Sequence, residues 1–188
     1  KTFTFSFRLI FLANFGTLLW AGGVTLNVTL TPVDSNDYSC IQDAVNNAAN
    51  GDVICFAPGR YVTSNIGIPG GASLMLAFTG TPDSAIANST NVIIQGDGQD
   101  RLFTVTDNAN TMLLSWTMMT LEAGVTSNSG GGAIYFVSGT GGGITLDNVI
   151  VSGNTSGNQG GGLAAAAGSF TTYIVGTTFI GNFASNVG

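Results

Sequence analysis

Residues 130–134 read GGGAI and residues 160–164 read GGGLA, thirty positions apart. SGN at 152–154 and IGN at 180–182 recur with a spacing of 28 residues. Short apolar runs divided by glycine and asparagine turns fill the chain between these copies. A period near 29 residues, made only of short strands and turns, is typical of a solenoid whose repeats stack on one another. The repeats therefore predict parallel coils of three short strands and three turns.

The regions on either side of the repeat complete the predicted organisation. Residues 52–188 provide about five coils, and the last copy reaches its glycine in mid-coil. Residues 39–51 predict a short capping helix, which begins with a Ser39/Gln42 capping box and ends at Gly51. Residues 1–38 form an N-terminal β-strand extension. The predicted fold is all-β, a right-handed parallel β-helix with a short N-terminal capping helix and an N-terminal extended strand segment.

The N-terminal extension has the alternation of a strand. Residues 4, 6, 8 and 10 separate five apolar side chains, which are Phe3, Phe5, Phe7, Leu9 and Phe11. We therefore interpret residues 2–31 as one or two long strands that need a partner sheet, and the segment 1–38 as a possible inter-subunit donor strand. A targeting peptide is the alternative, because an early positive charge precedes an apolar run and small residues. The run 9–20 is too short for a membrane helix, so no membrane span is expected.

Two motifs in the repeat resemble a known family. GGAI at 131–134 and FIGN at 179–182 are similar to the paired GGA[ILV] and FxxN motifs of the polymorphic outer membrane protein repeat. IQDAVNNAANGDVICFAPGRYV at 41–62 resembles the start of pectate-lyase-like right-handed parallel β-helix proteins. The second copy departs from the motif, with Val151 at the phenylalanine position. The resemblance implies a β-helix and a surface location, and it implies no particular reaction. Its motif residues in this chain are Gly131, Gly132, Ala133, Ile134, Phe179 and Asn182.

The motif residues also have a physical interpretation of their own. Phe179 and Val151 would fill the coil interior. Asn154 and Asn182 would stack at the same turn, with their amides hydrogen-bonded from coil to coil. An Asn154 amide engaged in such a ladder is not available to a glycan.

Composition favours an extracellular or cell-surface protein. Charged residues make up only 7% of the chain, the net charge is −6 and histidine is absent, so nucleic-acid binding has no electrostatic basis. A surface with so little charge needs a glycan coat or burial in an assembly. Three N-x-S/T sequons begin at Asn88, Asn27 and Asn154, and N-linked glycans are expected first at Asn88 and Asn27.

The two cysteines point to the same compartment. Cys40 and Cys55 are spaced to join the start of the capping helix to the following strand, which suits a disulfide in an oxidising environment. Two free thiols remain the alternative interpretation.

The acidic residues do not predict a catalytic or metal site. Most lie singly at turns, where a turn-forming role is the usual one. Asp97 and Asp100 in GDGQD lie close enough in sequence to share a calcium ion, but the further oxygens that calcium requires are not evident. We therefore expect no catalytic residues, no metal and no cofactor.

The expected function follows from the two ends of the chain. An unpaired last coil is a template for another chain, and the N-terminal strands lack a partner in the repeat. We expect a non-catalytic structural protein that binds itself head-to-tail to form a filament or surface fibre. One alternative is a fragment of a longer cell-surface adhesin or passenger domain that binds carbohydrate or a host surface. A remote alternative is a polysaccharide lyase-like enzyme.

Overall fold

The protein is a parallel β-solenoid with one short helix near its N-terminal part. The computed structural model describes residues 25–29, 37–38, 40–69, 75–80, 91–107, 113–127, 129–138, 142–166 and 171–186. Its elements in chain order are β1 (Thr25–Val28), β2 (Asp37–Tyr38), α1 (Ile41–Asn47), β3 (Val53–Phe56), β4 (Gly59–Thr63), β5 (Ile66–Pro69), β6 (Met75–Gly80), β7 (Val92–Gly96), β8 (Phe103–Asp107), β9 (Leu113–Thr117), β10 (Thr120–Glu122), β11 (Val125–Thr126), β12 (Ile134–Ser138), β13 (Gly143–Asp147), β14 (Ile150–Ser152), β15 (Thr155–Ser156), β16 (Leu163–Ala166), β17 (Thr171–Val175), β18 (Thr178–Ile180) and β19 (Phe183–Ala184).

The strands form four parallel sheets that run along the solenoid. We name them by strand order: sheet A is β17-β13-β9-β6-β3-β1-β2, sheet B is β18-β14-β10-β7-β4, sheet C is β16-β12-β8-β5 and sheet D is β11-β15-β19. Within the described residues, these strands make about four complete turns and the first three strands of a further one. The later turns contain a fourth, two-residue strand in sheet D, which the three-strand coil predicted from the sequence does not include.

Alternate side chains of each strand fill the interior. One column in sheet B stacks Tyr61, Ile94, Leu121, Val151 and Phe179 in consecutive turns. The first four of these side chains are buried. The interior also contains aromatic pairs in edge-to-face contact, among them the rings of Phe103 and Trp116 with their centroids 5.5 Å apart. Burial of a side chain of this size contributes about 1.5–3 kcal/mol, so the stacked columns are the main source of stability.

Single left-handed residues turn the chain from one sheet to the next. Met118, Asn148 and Gly176 occupy one turn position in successive coils, with φ of 53°, 53° and 56°. The loop that follows the sheet B strand in each of these coils has the same conformation, at Ala123, Gly153 and Gly181, with φ of 54°, 59° and 62°. An L-residue in this conformation costs roughly 1–2 kcal/mol, which explains why both positions become glycine in the last turn.

The glycine runs allow neighbouring coils to approach closely. A Cβ on Gly132 would lie 2.4 Å from the carbonyl oxygen of Gly161. A Cβ on Gly161 would lie at the same 2.4 Å from the carbonyl oxygen of Phe183. A Cβ cannot approach a backbone oxygen this closely. Glycine is therefore required at these positions of the repeated GGG, where the coils touch.

Helix α1 differs at both ends from the sequence prediction. Its N-cap is Cys40, in extended conformation and without a side-chain cap hydrogen bond, rather than Ser39, which lies outside the described residues. Its C-cap is the extended Ala48, so the helix ends before Gly51. The predicted Ser39/Gln42 capping box is therefore wrong, because the Gln42 side chain binds elsewhere.

The side-chain amide of Gln42 pairs with the edge strand of sheet C. Its Oε1 accepts the backbone N–H of Gly67 at 2.8 Å, and its Nε2 donates to the carbonyl oxygen of Gly67 at 3.0 Å. This two-bond pairing imitates a neighbouring strand on β5. Together with the buried face formed by Ile41, Ala44 and Val45, it covers this part of the N-terminal end of the solenoid.

Part of the predicted donor-strand segment pairs with strands of its own chain. Strand β1 pairs in parallel with β3, with Leu26 opposite Ile54 and Val28 opposite Phe56. It also pairs with β2 on its other side. Strand β1 is therefore an ordinary member of sheet A. Asn27 and Val28 have strand partners on both sides and are not available to another subunit, whereas residues 25 and 26 pair with β3 on one side.

Candidate assembly interface

The last described turn of the solenoid exposes positions whose counterparts in the preceding turn are buried. Ile174 is 48% exposed, although Leu146, its register partner in β13, is fully buried. Phe179 is 43% exposed, although Val151, its partner in β14, is 1% exposed. This surface, which we call the open layer (residues 171–184), is a cross-section of the core that no other described turn covers.

The open layer also presents the edges of three sheets. Strands β17, β18 and β19 are the terminal strands of sheets A, B and D. Further exposed apolar side chains surround the edge and are Tyr173, Val175, Ile180 and Phe183. An exposed, apolar parallel edge is a template for a further strand.

Two asparagines stack at the turn between sheets B and D. Asn182 Oδ1 accepts the backbone N–H of Asn154 at 3.1 Å, and its Nδ2 donates to the carbonyl oxygen of Val151 at 2.8 Å. Asn154 makes the same pair of bonds one turn earlier, with the N–H of Gly124 at 2.8 Å and the carbonyl oxygen of Leu121 at 3.1 Å. The two side chains are joined by a 2.9 Å bond from Asn154 Nδ2 to Asn182 Oδ1. The structure thus brings together the two residues predicted to form a ladder.

Each of these side chains closes the turn of the preceding coil. The carbonyl oxygen and N–H that it binds are three residues apart, as in the hydrogen bond of a β-turn. The amide is inserted between them and satisfies both groups. We call this arrangement a turn clamp: a side chain of one coil fixes a turn of the coil before it.

Thr177 forms a second turn clamp that the sequence motifs did not reveal. Its Oγ1 accepts the backbone N–H of Val149 at 3.2 Å and donates to the carbonyl oxygen of Leu146 at 3.1 Å. Only its position in the repeat could have indicated this role. Thr177 lies 28 residues after Val149, and 28 residues is also the spacing between the SGN and IGN copies.

The remaining motif residues lie in the loop that leads to sheet C. Gly131 has a φ of +71°, and a Cβ there would lie 2.2 Å from the carbonyl oxygen of Ile134. The N–H of Gly132 donates to Gly161 at 2.7 Å, and the N–H of Ala133 donates to Gly162 at 2.9 Å. Gly131, Gly132, Ala133 and Ile134 therefore align consecutive coils rather than form a ligand site.

The predicted assembly strand cannot be placed. Phe3, Phe5, Phe7, Leu9 and Phe11 lie outside the described residues. Asn88, one of the three predicted glycan sites, also lies outside them.

The other two sequons differ in accessibility. Asn154 is fully buried and its amide is engaged on both sides, so a glycan does not fit there. Asn27 lies in β1, between Cys55 and Asp37, and is half-buried.

No disulfide joins Cys40 to Cys55 in the structure. Cys40 is exposed at the N-cap of α1, whereas Cys55 is buried in the middle of β3. The predicted bridge is therefore not formed, and the structure matches the alternative of two thiols.

Asp97 and Asp100 form turn contacts. Asp97 accepts hydrogen bonds from the hydroxyl of Ser64 and the backbone N–H of Gln99, both at 2.9 Å. Asp100 accepts from the backbone N–H of Arg101 at 2.8 Å and lies 3.6 Å from its Nε. In the part of the chain that the structure describes, no group of three or more His, Cys, Asp or Glu residues could hold a metal.

Arg101 is a buried cation that no sequence motif indicated. Its guanidinium donates to the hydroxyls of Thr126 and Ser129 and, at 2.6 Å, to the carbonyl oxygen of Gly130. It also lies 4.5 Å from the centre of the Tyr135 ring. Burial lowers the pKa of this guanidinium. Because the hydrogen bonds of the guanidinium to Thr126, Ser129 and Gly130 all reach the following coil, the side chain fastens one loop to the next.

Two large aromatic side chains, Trp116 and Tyr61, are in the core. Trp116 is fully buried, and Tyr61 is buried with its hydroxyl donating to the carbonyl oxygens of Val28 and Ala57. Burial raises the pKa of Tyr61 to about 12. Tyr173 is exposed on the open layer.

An open groove of about 470 Å³ lies on the outer side of sheet C, beside α1. Amide and hydroxyl groups face it together with apolar atoms, and its described lining carries no charge. The lining residues are Asn46, Asn65, Gly67, Ile68, Pro69, Thr104 and Thr106.

The structure and the comparisons leave the fold without a family assignment. Among the described residues, the helical segment falls short of the length and apolarity that a membrane crossing requires. The chain matches no protein-family model, no curated protein and no solved structure.

Proposed function

We propose that this chain is a non-catalytic, extracellular structural protein that assembles head-to-tail into a filament or surface fibre. We further propose that it belongs with the pectate-lyase-like right-handed β-helices that carry polymorphic outer membrane protein-type repeats. The observation that carries the assembly proposal is the open layer, in which Ile174 and Phe179 take core positions and remain 48% and 43% exposed among the described residues.

The energetics favour a further β-layer over water at this surface. Covering a large apolar side chain contributes about 1.5–3 kcal/mol, and several such side chains lie together here. The strand edges would gain hydrogen-bond partners at the same time. A strand or coil added in parallel satisfies both needs, whereas a small ligand satisfies neither.

The two ends of the solenoid differ, and this difference supports a polar assembly. At the N-terminal end, Gln42 occupies the edge of β5 and α1 buries its apolar face. The open layer at the other end has no such helix among the described residues. A contact between two unlike ends does not close on itself, so it generates a filament rather than a dimer.

Composition supports an extracellular assembly. With 7% charged residues, the surface has little of the charge that keeps an isolated domain soluble. Burial between subunits and glycans at Asn27 and Asn88 would replace that charge.

The test is the size of the purified chain as a function of concentration, measured by light scattering and electron microscopy. We expect fibres or long oligomers. Phe179→Asp should reduce them strongly, because it places a charge in the open layer. Val62→Asp is the matched control, since Val62 is 63% exposed in β4, outside the open layer. A chain that stays monomeric at high concentration, or a control as disruptive as Phe179→Asp, would contradict the proposal.

A second candidate function is binding of neutral carbohydrate in the groove beside α1. Its support is the pairing of amides and hydroxyls with apolar atoms in a shallow, open groove whose described lining carries no charge. Titration with neutral oligosaccharides, followed by NMR shifts of Asn65 and Thr104, tests it. Shifts that Asn65→Ala abolishes would support binding, whereas unchanged spectra at millimolar oligosaccharide would exclude it.

A further inference from the structure

Asn50 is the only asparagine in the sequence that is followed by glycine. It lies in the turn 49–52 between α1 and β3, where the backbone N–H of Asp52 donates to the carbonyl oxygen of Ala49 at 3.0 Å. The N–H of Ala49 donates to the carboxylate of Asp52 at 2.7 Å. Gly51 has a φ of +87°, the left-handed conformation that glycine adopts at the third position of a β-turn. The turn is therefore held at its two ends, and Asn50 and Gly51 form its tip.

The tip of this turn leaves both groups of the asparagine–glycine pair free to react with each other. The side chain of Asn50 is exposed, and among the described residues it makes no hydrogen bond. The backbone N–H of Gly51 likewise has no acceptor in the part of the chain that the structure describes. A Cβ built on Gly51 would meet nothing within 4 Å, so the space beside this nitrogen is open. Rotation of the Asn50 side chain can therefore bring its amide carbon to the Gly51 nitrogen without displacing a neighbour.

Asn47 is an exposed asparagine of the same region in which both groups are engaged. Its Nδ2 donates to the carbonyl oxygen of Asp43 at 2.8 Å. The backbone N–H of the following residue, Ala48, donates to the carbonyl oxygen of Val45 at 3.3 Å. The nitrogen that would attack the Asn47 side chain is therefore already a hydrogen-bond donor, and it carries the Cβ of alanine beside it. Asn47 provides a matched comparison with Asn50 within one protein.

We propose that Asn50 deamidates spontaneously in the folded protein, and that the isoaspartate product loosens α1 from the edge of sheet C. The backbone nitrogen of Gly51 gives up its proton and forms a bond to Cγ of Asn50. The bond from Cγ to Nδ2 breaks, and the side-chain nitrogen leaves as ammonia with that proton. Water then opens the cyclic imide. Attack of water at Cγ gives aspartate, whereas attack at the backbone carbonyl carbon of residue 50 gives isoaspartate. The reaction needs no partner chain, so it is independent of the proposed assembly.

The two products differ in their effect on the turn. Both add a negative charge just beyond the C-terminal end of α1, where the helix dipole disfavours it. Isoaspartate also routes the backbone through Cβ and Cγ, which adds one carbon–carbon bond of about 1.5 Å. The added length lies inside the turn, so the two hydrogen bonds between Ala49 and Asp52 cannot both be kept. Because this turn joins α1 to β3, the helix then shifts relative to Gly67, to which Gln42 binds.

Ageing of the purified chain tests the chemistry. Folded protein is incubated in mildly alkaline buffer beside a sample in guanidinium chloride, and digests are analysed by mass spectrometry with electron-transfer fragmentation, which distinguishes isoaspartate from aspartate. Asn50 should convert at similar rates in the two samples, because its turn does not protect it. Asn47 should convert more slowly in the folded protein than in the unfolded one. An Asn50 that stays intact in the folded protein, or that reacts there no faster than Asn47, would overturn the proposal.

Hydrogen exchange of the aged protein tests the structural consequence. The Gly67 amide should exchange about tenfold faster in isoaspartate-containing protein, because its bond to Gln42 is lost. The Thr155 amide, which donates to a carbonyl oxygen far from α1, is the reference and should not change. Freshly prepared Asn50→Asp carries the charge without the added backbone carbon, so its Gly67 amide should exchange as in unaged wild type. Aged Asn50→Gln should behave in the same way.

Two results would contradict this consequence. Unchanged exchange at Gly67 in isoaspartate-containing protein would overturn the loosening of α1, although the modification site would stand. Equally fast exchange in Asn50→Asp would overturn the role of the added backbone carbon, because charge alone would then account for the change.

Discussion

Asn182 fixes a turn that belongs to the coil before it, through its bonds to the backbone N–H of Asn154 and the carbonyl oxygen of Val151. Asn154 acts in the same way on the turn that precedes its own. A residue of this kind stabilises a turn that was completed about 30 positions earlier in the chain. The ladder is therefore directional, and its effects are open to direct tests.

Replacement of Asn154 should destabilise the solenoid strongly. Asn154→Ala leaves the N–H of Gly124 and the carbonyl oxygen of Leu121 without their side-chain partner in a buried site, at a cost of about 2–4 kcal/mol. Urea unfolding followed by circular dichroism measures this loss. Asn186→Ala is the control, because Asn186 is exposed and the bond of its side chain to Asn158 is long, at 3.4 Å. Equal stabilities of the two variants would contradict the role assigned to the ladder.

The glycine motif should tolerate alanine at some positions and not at others. Gly132→Ala places a Cβ 2.4 Å from the carbonyl oxygen of Gly161, so we expect a loss of more than about 3 kcal/mol or failure to fold. Gly153→Ala meets nothing within 4 Å and carries only the left-handed strain of about 1–2 kcal/mol. Thermal unfolding of both variants provides the comparison. A Gly132→Ala variant as stable as Gly153→Ala would show that the coils do not touch there.

Alkaline pH should destabilise the protein through Tyr61. The pKa of Tyr61 is raised to about 12 in the folded state, against about 10 in the unfolded chain. Between these values the unfolded state binds fewer protons, so stability is complete below pH 10 and falls as the pH rises toward 12. A shift of two units corresponds to roughly 2–3 kcal/mol.

The comparison of wild type with Tyr61→Phe isolates this contribution. We expect Tyr61→Phe to be less stable at pH 8, where the two hydrogen bonds of the hydroxyl are lost. Between pH 9.5 and 11.5, however, its stability should fall less than that of the wild type. Parallel curves for the two proteins would exclude Tyr61 as the titrating group.

The two cysteines should react at different rates. Iodoacetamide should label Cys40 quickly in the native protein, because this side chain is exposed. Cys55 is buried and should react only on unfolding. Mass spectrometry without a reducing agent counts the labels. Absence of labelling in denaturant would establish the disulfide that the spacing of the cysteines suggested.

Expression in a eukaryotic secretory host should separate the three sequons. We expect glycans at Asn27 and Asn88 and none at Asn154, whose amide is fully buried. Glycopeptide mapping identifies the occupied sites. A glycan on Asn154 in folded, secreted protein would show that the ladder does not form at this residue, because Nδ2 uses both of its hydrogens in the ladder.

The repeat was sufficient to predict the solenoid, since the features that define it are local. Glycine and asparagine mark each turn, and the apolar runs between them have the length of short strands. The placement of Asn154 beside Asn182 followed from the same period, because identical positions in successive coils lie one above the other. Thr177 was missed because no motif in the sequence marks a threonine clamp. The equivalent residue one coil earlier is Val149, which has no polar side chain to suggest a ladder.

Contacts that do not follow the period of the repeat could not be predicted. The sequence around Gln42 predicts a capping box. In the structure the amide of Gln42 binds Gly67, 25 residues away, because α1 lies against the edge of sheet C. Arg101 looks like an ordinary surface cation beside Asp100. Its burial depends on the path of the next loop, which the residues around Arg101 do not determine.

The turn clamps imply an order of folding. Because each clamp comes from a later coil, a turn made early in synthesis is fastened only when chain synthesised afterwards reaches it. The growing end therefore always contains one unfastened turn. Disruption should start at the same place, so that amide hydrogens at Val149 and Asn154 exchange slowly while those at Thr177 and Asn182 exchange first. A segment that binds the open layer should slow the exchange of the Thr177 and Asn182 amides. In this way it would stabilise the same turn against which it packs.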